Sequence, residues 1–292
     1  MVPLRFAVIG DPVAHSKSPV MHRAAFRALG LPHTYEAIRV TAEQLPGMVQ
    51  ALRDGTFAGL NVTVPHKTRV LEYVDEDRSA GTGASNTLVR TDDGRVVAYN
   101  TDVAALDMEL IELASRAAGG PSATRMPQRA LVLGSGGTAR AAVLVLAHQG
   151  FKEVVVRARR AHGGFEALPV GTWQRWEPSP ASERETYAIV QATSAGMQGA
   201  DPGEVVADAI AWQDLPDGAV ALDVVYAPPE TPFLRAARNR GLRATNGLGM
   251  LARQGAAAFE RWLGPRTINK DGSPGPGLVA PLDVMLAALV SP

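Results

Sequence analysis

Cysteine is absent from all 292 residues. That excludes disulfides, thiolate nucleophiles and Cys-based zinc or iron–sulfur centres, and no metal is expected. An excess of charge is also missing. Twenty-nine Lys and Arg are matched by 29 Asp and Glu. No global field therefore draws the chain to nucleic acid or to an anionic membrane, and neither is expected as a partner. No apolar run approaches the roughly 20 residues needed to span a bilayer. The opening Met1–Gly10 has only a short apolar part before Gly10-Asp11-Pro12, so it does not read as a signal peptide. The missing cysteine fits a cytoplasmic location, and the expected partner is a small-molecule substrate, with the chain a monomer or homodimer.

Hydrophobic residues make up 46% of the chain and charged residues 20%, an ordinary globular balance for a length that accommodates two domains. Residues 4–9 read as a strand ended by Gly10-Asp11-Pro12. Ser18-Pro19 reads as a helix start, with Ser18 as N-cap, running to about Leu29. A strand is expected over 35–40, a helix capped by Thr41 over 41–53, and a strand over 59–64 broken by Pro65. Residues 86–90 and 95–99 form a hairpin around Asp92-Asp93-Gly94. Helices follow over 103–116, 138–149, 246–263 and 281–289, and strands at 130–133, 153–156, 188–191, 219–225 and 243–244. Residues 117–122 and the Gly/Pro-rich 264–277 read as loops. Alternating strands and helices predict an α/β fold with a parallel, doubly wound sheet in the second half.

The sharpest local motif is Gly134-Ser135-Gly136-Gly137-Thr138-Ala139, which follows a buried strand and opens a helix. That context makes it a Rossmann fingerprint. Gly134 permits the tight turn, Gly136 clears space for a pyrophosphate, and Ala139 lets helix and strand pack closely. The helix N-terminus then offers N–H groups to the phosphates. An NAD site places an acid at the end of the next strand, about 20 residues on. Here the strand ends Val156-Arg157-Ala158-Arg159-Arg160, with no acid. Three guanidinium groups suit the 2′-phosphate of NADP, and alternation puts Arg157 and Arg159 on one face, although the chain is expected to turn by Arg159.

A second set of motifs precedes and follows this one. Gly10-Asp11-Pro12-Val13-Ala14-His15-Ser16-Lys17-Ser18-Pro19 and Asn61-Val62-Thr63-Val64-Pro65-His66-Lys67 come first. Ser85-Asn86-Thr87 and Tyr99-Asn100-Thr101-Asp102 follow, then Asp223-Val224-Val225-Tyr226, Thr231-Pro232-Phe233-Leu234 and Asn246-Gly247-Leu248-Gly249-Met250-Leu251 with Gln254. In order and spacing, from residue 6 to about 263, the chain resembles the shikimate dehydrogenase family. The resemblance implies an N-terminal α/β substrate domain (1–102 plus 246–292, completed by returning C-terminal helices) and a Rossmann-type NADP domain (103–245). It implies reversible NADPH-dependent reduction of 3-dehydroshikimate to shikimate, a step toward the aromatic amino acids. It makes Lys67 and Asp102 the catalytic pair, with Lys67 as acid/base.

Elementary chemistry is compatible with those roles. Lys67 follows a proline strand break and can project from a strand end. A lysine titrates near about 10.4 in water, and burial or a neighbouring cation would lower that, whereas a close carboxylate alone would raise it. The hairpin brings Asn86 and Asp102 to one open end, where they can meet adjacent hydroxyls. By resemblance Ser16 and Ser18 hold the substrate carboxylate with help from Tyr226, and Thr63 and Gln254 bind hydroxyls. By the same resemblance Ser135, Thr193, Val224, Gly247 and Met250 join the cofactor site. His66 reads as structural, and Lys17 and His15 as weaker candidates. The chain departs from the family pattern at Ala158 and Arg160, where an Asn-Arg-Thr run is common, at Gln191 in place of Asn, and at Ala227 in place of Asn. Rival readings are a quinate/shikimate enzyme using NAD, a non-catalytic sensor of the same fold, and a different Rossmann dehydrogenase acting on a folate.

Overall fold

The computed structural model of the chain describes residues 2–115, 129–159, 165–197, 199–264 and 277–290. The expected loops over 117–122 and most of 264–277 lie outside the described residues, as does Arg160.

In chain order the first part comprises β1 (Arg5–Gly10), α1 (Ser18–Ala28), β2 (Thr34–Arg39), α2 (Leu45–Arg53), β3 (Gly59–Val62), β4 (Glu76–Arg78), β5 (Thr87–Arg90) and β6 (Val96–Tyr99). The strands form one sheet in the order β2-β1-β3-β5-β6-β4. β1 is an interior strand and pairs in parallel with β2 and β3, which explains its uninterrupted buried run Phe6-Ala7-Val8-Ile9. β5 runs antiparallel to β3 and β6, and Thr87 stands opposite Tyr99. That register carries Asn86 and Asn100 to the same end of the hairpin.

Two helix starts differ from expectation. Ser18 is the first residue of α1, Lys17 is its N-cap, and the Ser18 N–H donates to Ser16 Oγ at 3.2 Å. α2 begins at Leu45, not Thr41, and carries a proline in its first turn. Pro46 has no N–H to continue a helix from Thr41, so the first turn is the place it is tolerated. A helix such as α2, four residues shorter than its apolar pattern, still buries Leu45, Val49 and Leu52 on one face.

The second part runs α3 (Asp102–Ser115), β7 (Arg129–Leu133), α4 (Gly137–His148), β8 (Glu153–Arg157), β9 (Thr172–Gln174), α5 (Pro180–Glu183), β10 (Thr186–Gln191), α6 (Glu204–Ala207), β11 (Val220–Asp223), α7 (Pro232–Asn239) and β12 (Arg243–Thr245). Its sheet is wholly parallel in the order β12-β11-β10-β7-β8-β9. Strand order reverses between β7 and β10, the switch point beside which doubly wound sheets bind dinucleotides. Val132 and Val190 point into one core layer, Leu131 and Ile189 into the other, so helices cover both faces.

α8 (Leu248–Leu263) and α9 (Leu282–Val290) close the chain. The molecule divides into two compact units, Met1–Asp102 with Leu251–Pro292, and Val103–Met250. The second boundary falls inside α8, a few residues beyond the expected one. Trp262 on α8 is buried, and its indole Nε1–H donates to the Leu88 carbonyl at 2.9 Å. Gly59 on β3 faces that indole, and a Cβ there would collide with it. Lys17 Nζ donates to the Leu289 carbonyl at 2.9 Å, tying the end of α9 to the start of α1.

Candidate active site

Lys67 follows β3 and a short turn, and Asp102 opens α3. Lys67 Nζ donates to Asp102 Oδ2 at 2.6 Å, and the side chains are 14% and 4% exposed. The other carboxylate oxygen, Oδ1, accepts from Asn86 Nδ2 at 2.8 Å. Asn86 Nδ2 also lies 2.9 Å from Thr101 Oγ1 and 3.3 Å from Gln254 Oε1. Its two hydrogens face three acceptors, so the longest contact, to Gln254, is the one most readily exchanged. Asn86 Oδ1 accepts the Thr101 N–H at 2.7 Å. The hairpin end, the helix start and the returning α8 thus converge on one carboxylate and one ammonium.

Behind this cluster runs a buried chain of hydrogen bonds. Asn61 Nδ2 donates to the Asn86 carbonyl and to Thr87 Oγ1, both at 3.1 Å. Tyr35 Oη–H donates to Asn61 Oδ1 at 2.7 Å. Burial pushes the Tyr35 phenol well above its ordinary pKa, partly offset by a hydrogen bond from the Ser18 side chain. Ser18, itself buried, is therefore engaged with Tyr35, whereas the half-buried Ser16 accepts the Ser18 N–H and keeps its hydroxyl proton for another partner. Thr63 is half-buried at the end of β3, where its methyl group leaves no room for a Cβ on Gly10. His66 is buried with Nε2 2.6 Å from the Val40 carbonyl, a packing role that withdraws it from the cluster. Tyr226 follows β11 in the second unit and is half-buried.

The glycine motif follows β7 directly. Gly134 has φ +110°, a conformation that side chains resist, and a Cβ there would press on Thr193 and the Ala192 carbonyl. Gly136 is the N-cap of α4 with no side chain capping the helix, and a Cβ added to it would meet nothing within 4 Å. That open cradle, at the start of a helix whose first-turn N–H groups point toward it, fits a pyrophosphate. Gly137 and Thr138 begin that first turn. Ala139 is fully buried, as close packing of α4 on the sheet requires. Ser135 is half-buried beside the loop. The Val224 N–H donates to the Gln191 carbonyl at 3.0 Å. A Cβ on Gly247 would strike the Val224 carbonyl, which gives that glycine a packing reason of its own. Met250 is 6% exposed and belongs to the core of the second unit.

The arginines divide differently from the alternation argument. Arg157 is fully buried, pairs with Glu183 at 2.9 Å and donates to the Ala209 carbonyl at 2.5 Å. It is a core residue and is removed from the cofactor site. The strand ends at Arg157, so strand alternation no longer governs the residues after it. Arg159, two residues on, is exposed and stands past the end of β8.

Two family models match the chain, "Shikimate dehydrogenase substrate binding domain" over residues 8–88 and "Shikimate 5'-dehydrogenase C-terminal domain" over 247–272. The shikimate dehydrogenase (NADP(+)) of Methylobacterium radiotolerans is 41% identical over 272 residues, covering 90% of this chain and 92% of that protein. The chain belongs to the shikimate dehydrogenase family. Shikimate 5-dehydrogenase from Thermus thermophilus, solved in complex with NADP(H) and shikimate, is 35% identical with a TM-score of 0.75, and covers 98% of each chain. The Listeria monocytogenes shikimate 5-dehydrogenase, solved with shikimate and NAD, is 28% identical with a TM-score of 0.77, covering 98% of this chain and 96% of that one.

Against the shikimate dehydrogenase pattern, the departures take a clear structural form. Gln191, where Asn is usual, is buried, accepts the Thr193 N–H at 2.5 Å and donates to the Ala195 carbonyl at 3.1 Å. Its extra methylene reaches further into the loop that follows β10 and braces it. Thr193 Oγ1 accepts the Ala195 N–H at 3.1 Å in the same turn. Ala158 is nearly buried, so the position where Asn is common offers no polar group here. Tyr35, Asn61, Thr87 and Thr101 form the inner network, and the sequence alone assigns none of them a role. Asn61 and Thr101 sit inside recognisable motifs, but nothing in a single sequence reveals Tyr35 as their partner.

Proposed function

We propose that this chain interconverts 3-dehydroshikimate and shikimate with NADPH and NADP as the hydride couple, working in the cytoplasm as a monomer or homodimer. The observation that carries the reading is the 2.6 Å contact of Lys67 with Asp102, whose second oxygen is held by Asn86. NADPH, when bound on the glycine loop, supplies the hydride. In reduction the Lys67 ammonium gives a proton to the carbonyl oxygen of the substrate as the carbon accepts the hydride, and in oxidation the lysine takes that proton back. Asp102 fixes Lys67 in one orientation and accepts from a neighbouring substrate hydroxyl. Gln254 Oε1, the acceptor that Asn86 serves least well, takes a further hydroxyl. Ser16 donates its hydroxyl proton to the substrate carboxylate, the Ser18 N–H holds Ser16 in place, and by the family resemblance Tyr226 assists at the carboxylate and Thr63 binds a hydroxyl.

The preference for NADP over NAD is supported by Arg159 and by the lack of an acid at the end of β8. The cysteine-free sequence suits a reducing cytoplasm. The deciding experiment is to assay the purified chain on shikimate and quinate, each with NADP and NAD. Turnover should be highest with shikimate and NADP. A chain inert on shikimate yet active on another polyhydroxy acid would overturn the reading.

A further inference from the structure

β8 and β10 flank β7 on its two sides, so the loops after them border the glycine loop from opposite directions. Among the described residues an ion pair joins those loops: Arg159 Nη2 lies 2.8 Å from Asp201 Oδ2. The side chains are 64% and 49% exposed, so this is a surface contact, cheaply exchanged for a better partner. The backbone that presents Asp201 is well anchored. The Gly196 N–H donates to the Asp201 carbonyl at 2.8 Å, and Gly196 has φ +92°. Two residues beyond Asp201, Gly203 packs so closely on Pro232 at the start of α7 that a Cβ would clash. Gln191 braces the beginning of the same loop. Asp201 is thus held near the guanidinium best placed for the 2′-phosphate.

A phosphate monoester carries between one and two negative charges near neutral pH and binds arginine better than a lone exposed carboxylate does. When it arrives, Arg159 must leave Asp201 or be shared with it, and in either case a carboxylate stays beside a dianion. We propose that Asp201 is a specificity-determining residue: it competes for Arg159, opposes the 2′-phosphate, and so narrows the margin by which the chain prefers NADP over NAD. The inference rests on the reading of Arg159 as the 2′-phosphate partner. Asp201 comes from the loop after β10, far downstream of the strand end where an acid is ordinarily sought. It therefore restores some negative character to a site whose local sequence has none.

The test is Kd for NADP and for NAD, measured by titration calorimetry at low salt, on the natural chain, Asp201→Asn and Arg159→Ala. Asn keeps the shape and one acceptor but removes the charge, and the half-exposed position makes loss of the fold no concern. Asp201→Asn should tighten NADP about three- to tenfold and leave NAD within about twofold, with the gain shrinking as salt is raised. Arg159→Ala should weaken NADP alone, by about ten- to a hundredfold. If Arg159→Ala does so while Asp201→Asn leaves NADP unchanged or weaker, Asp201 merely orients the arginine and the inference is overturned. If Arg159→Ala spares NADP, the underlying assignment of Arg159 fails, and this inference with it. Equal tightening of both cofactors would mark a reshaped loop and also overturn it.

Discussion

A lysine that passes a proton must point at one place, and Lys67 is held by a carboxylate that is itself held by an amide. Lys67→Ala removes the proton carrier and leaves the glycine loop untouched. kcat should fall by about 10²–10⁴-fold with NADP Kd changed less than about twofold. Near-normal turnover would take Lys67 out of the mechanism. His22 makes a different kind of prediction. It is wholly buried, stacked 4.3 Å from Tyr35, and neither ring nitrogen has a hydrogen-bond partner. Burial pushes its pKa from 6.5 down to about 3. A group with a depressed pKa contributes stability that is present above its unfolded value and lost as pH falls toward the folded one. The loss therefore runs from about pH 6.5 downward at about 1.4 kcal/mol per pH unit. His22→Phe should remove that slope, so its stability relative to the natural chain should rise between pH 7 and pH 5 in urea melts. A difference constant with pH would mean that His22 does not titrate on unfolding. At this scale the sequence announces the ends of the site better than its supports. Lys67, Asn86 and Asp102 stand in motifs, and hairpin register alone predicts that the last two meet. Alternation misplaces Arg157 because it says which residues share a face but not which face is buried.

Elements are legible where pattern and punctuation agree. β1, β7 and β8 are short apolar runs ended by glycine or by a turn of charge, and each forms as expected. β4 cannot be seen, because Glu76-Asp77-Arg78 has no apolar alternation and pairs only along the edge of its sheet. α7 is not among the expected helices although its start carries a signal: Thr231 caps it through Oγ1 to the Leu234 N–H at 3.2 Å and Pro232 stands in its first turn, whereas α1 has Lys17 as N-cap and no side-chain cap. The packing of α8 on β3 is what no local pattern could show. The position of Gly59 at the strand's start makes sense only when the distant Trp262 indole is laid against it. Gly59→Ala should overpack that contact and disturb the indole's hydrogen bond to Leu88, costing about 1–3 kcal/mol. Urea denaturation monitored by tryptophan fluorescence measures it. An unchanged midpoint would mean that α8 shifts without cost.

Along the chain, a continuous second unit interrupts the sequence of a discontinuous first one. A ligand that binds only the folded second unit stabilises it by mass action, about 2.7 kcal/mol at a hundred times Kd. Saturating NADP should therefore slow amide exchange at Val132 and Val190 in β7 and β10 more than at Val8 and Leu60 in β1 and β3. Equal slowing in both sets would show that the two units open as one cooperative block. The division into units is partly visible in sequence, because the glycine motif fixes where the second unit's first strand ends. The exact exit is not, since α8 runs across the boundary and its apolar pattern does not pause there. Translation runs from the N-terminal side, and this arrangement sets an order on the newborn chain. All of Val103–Met250 is synthesised before Trp262 and Leu289, which meet Gly59 and Lys17, exist. The second unit is complete in sequence while the first, with α2 already available to pack on one face of its sheet, still waits for Leu251–Pro292 to be made.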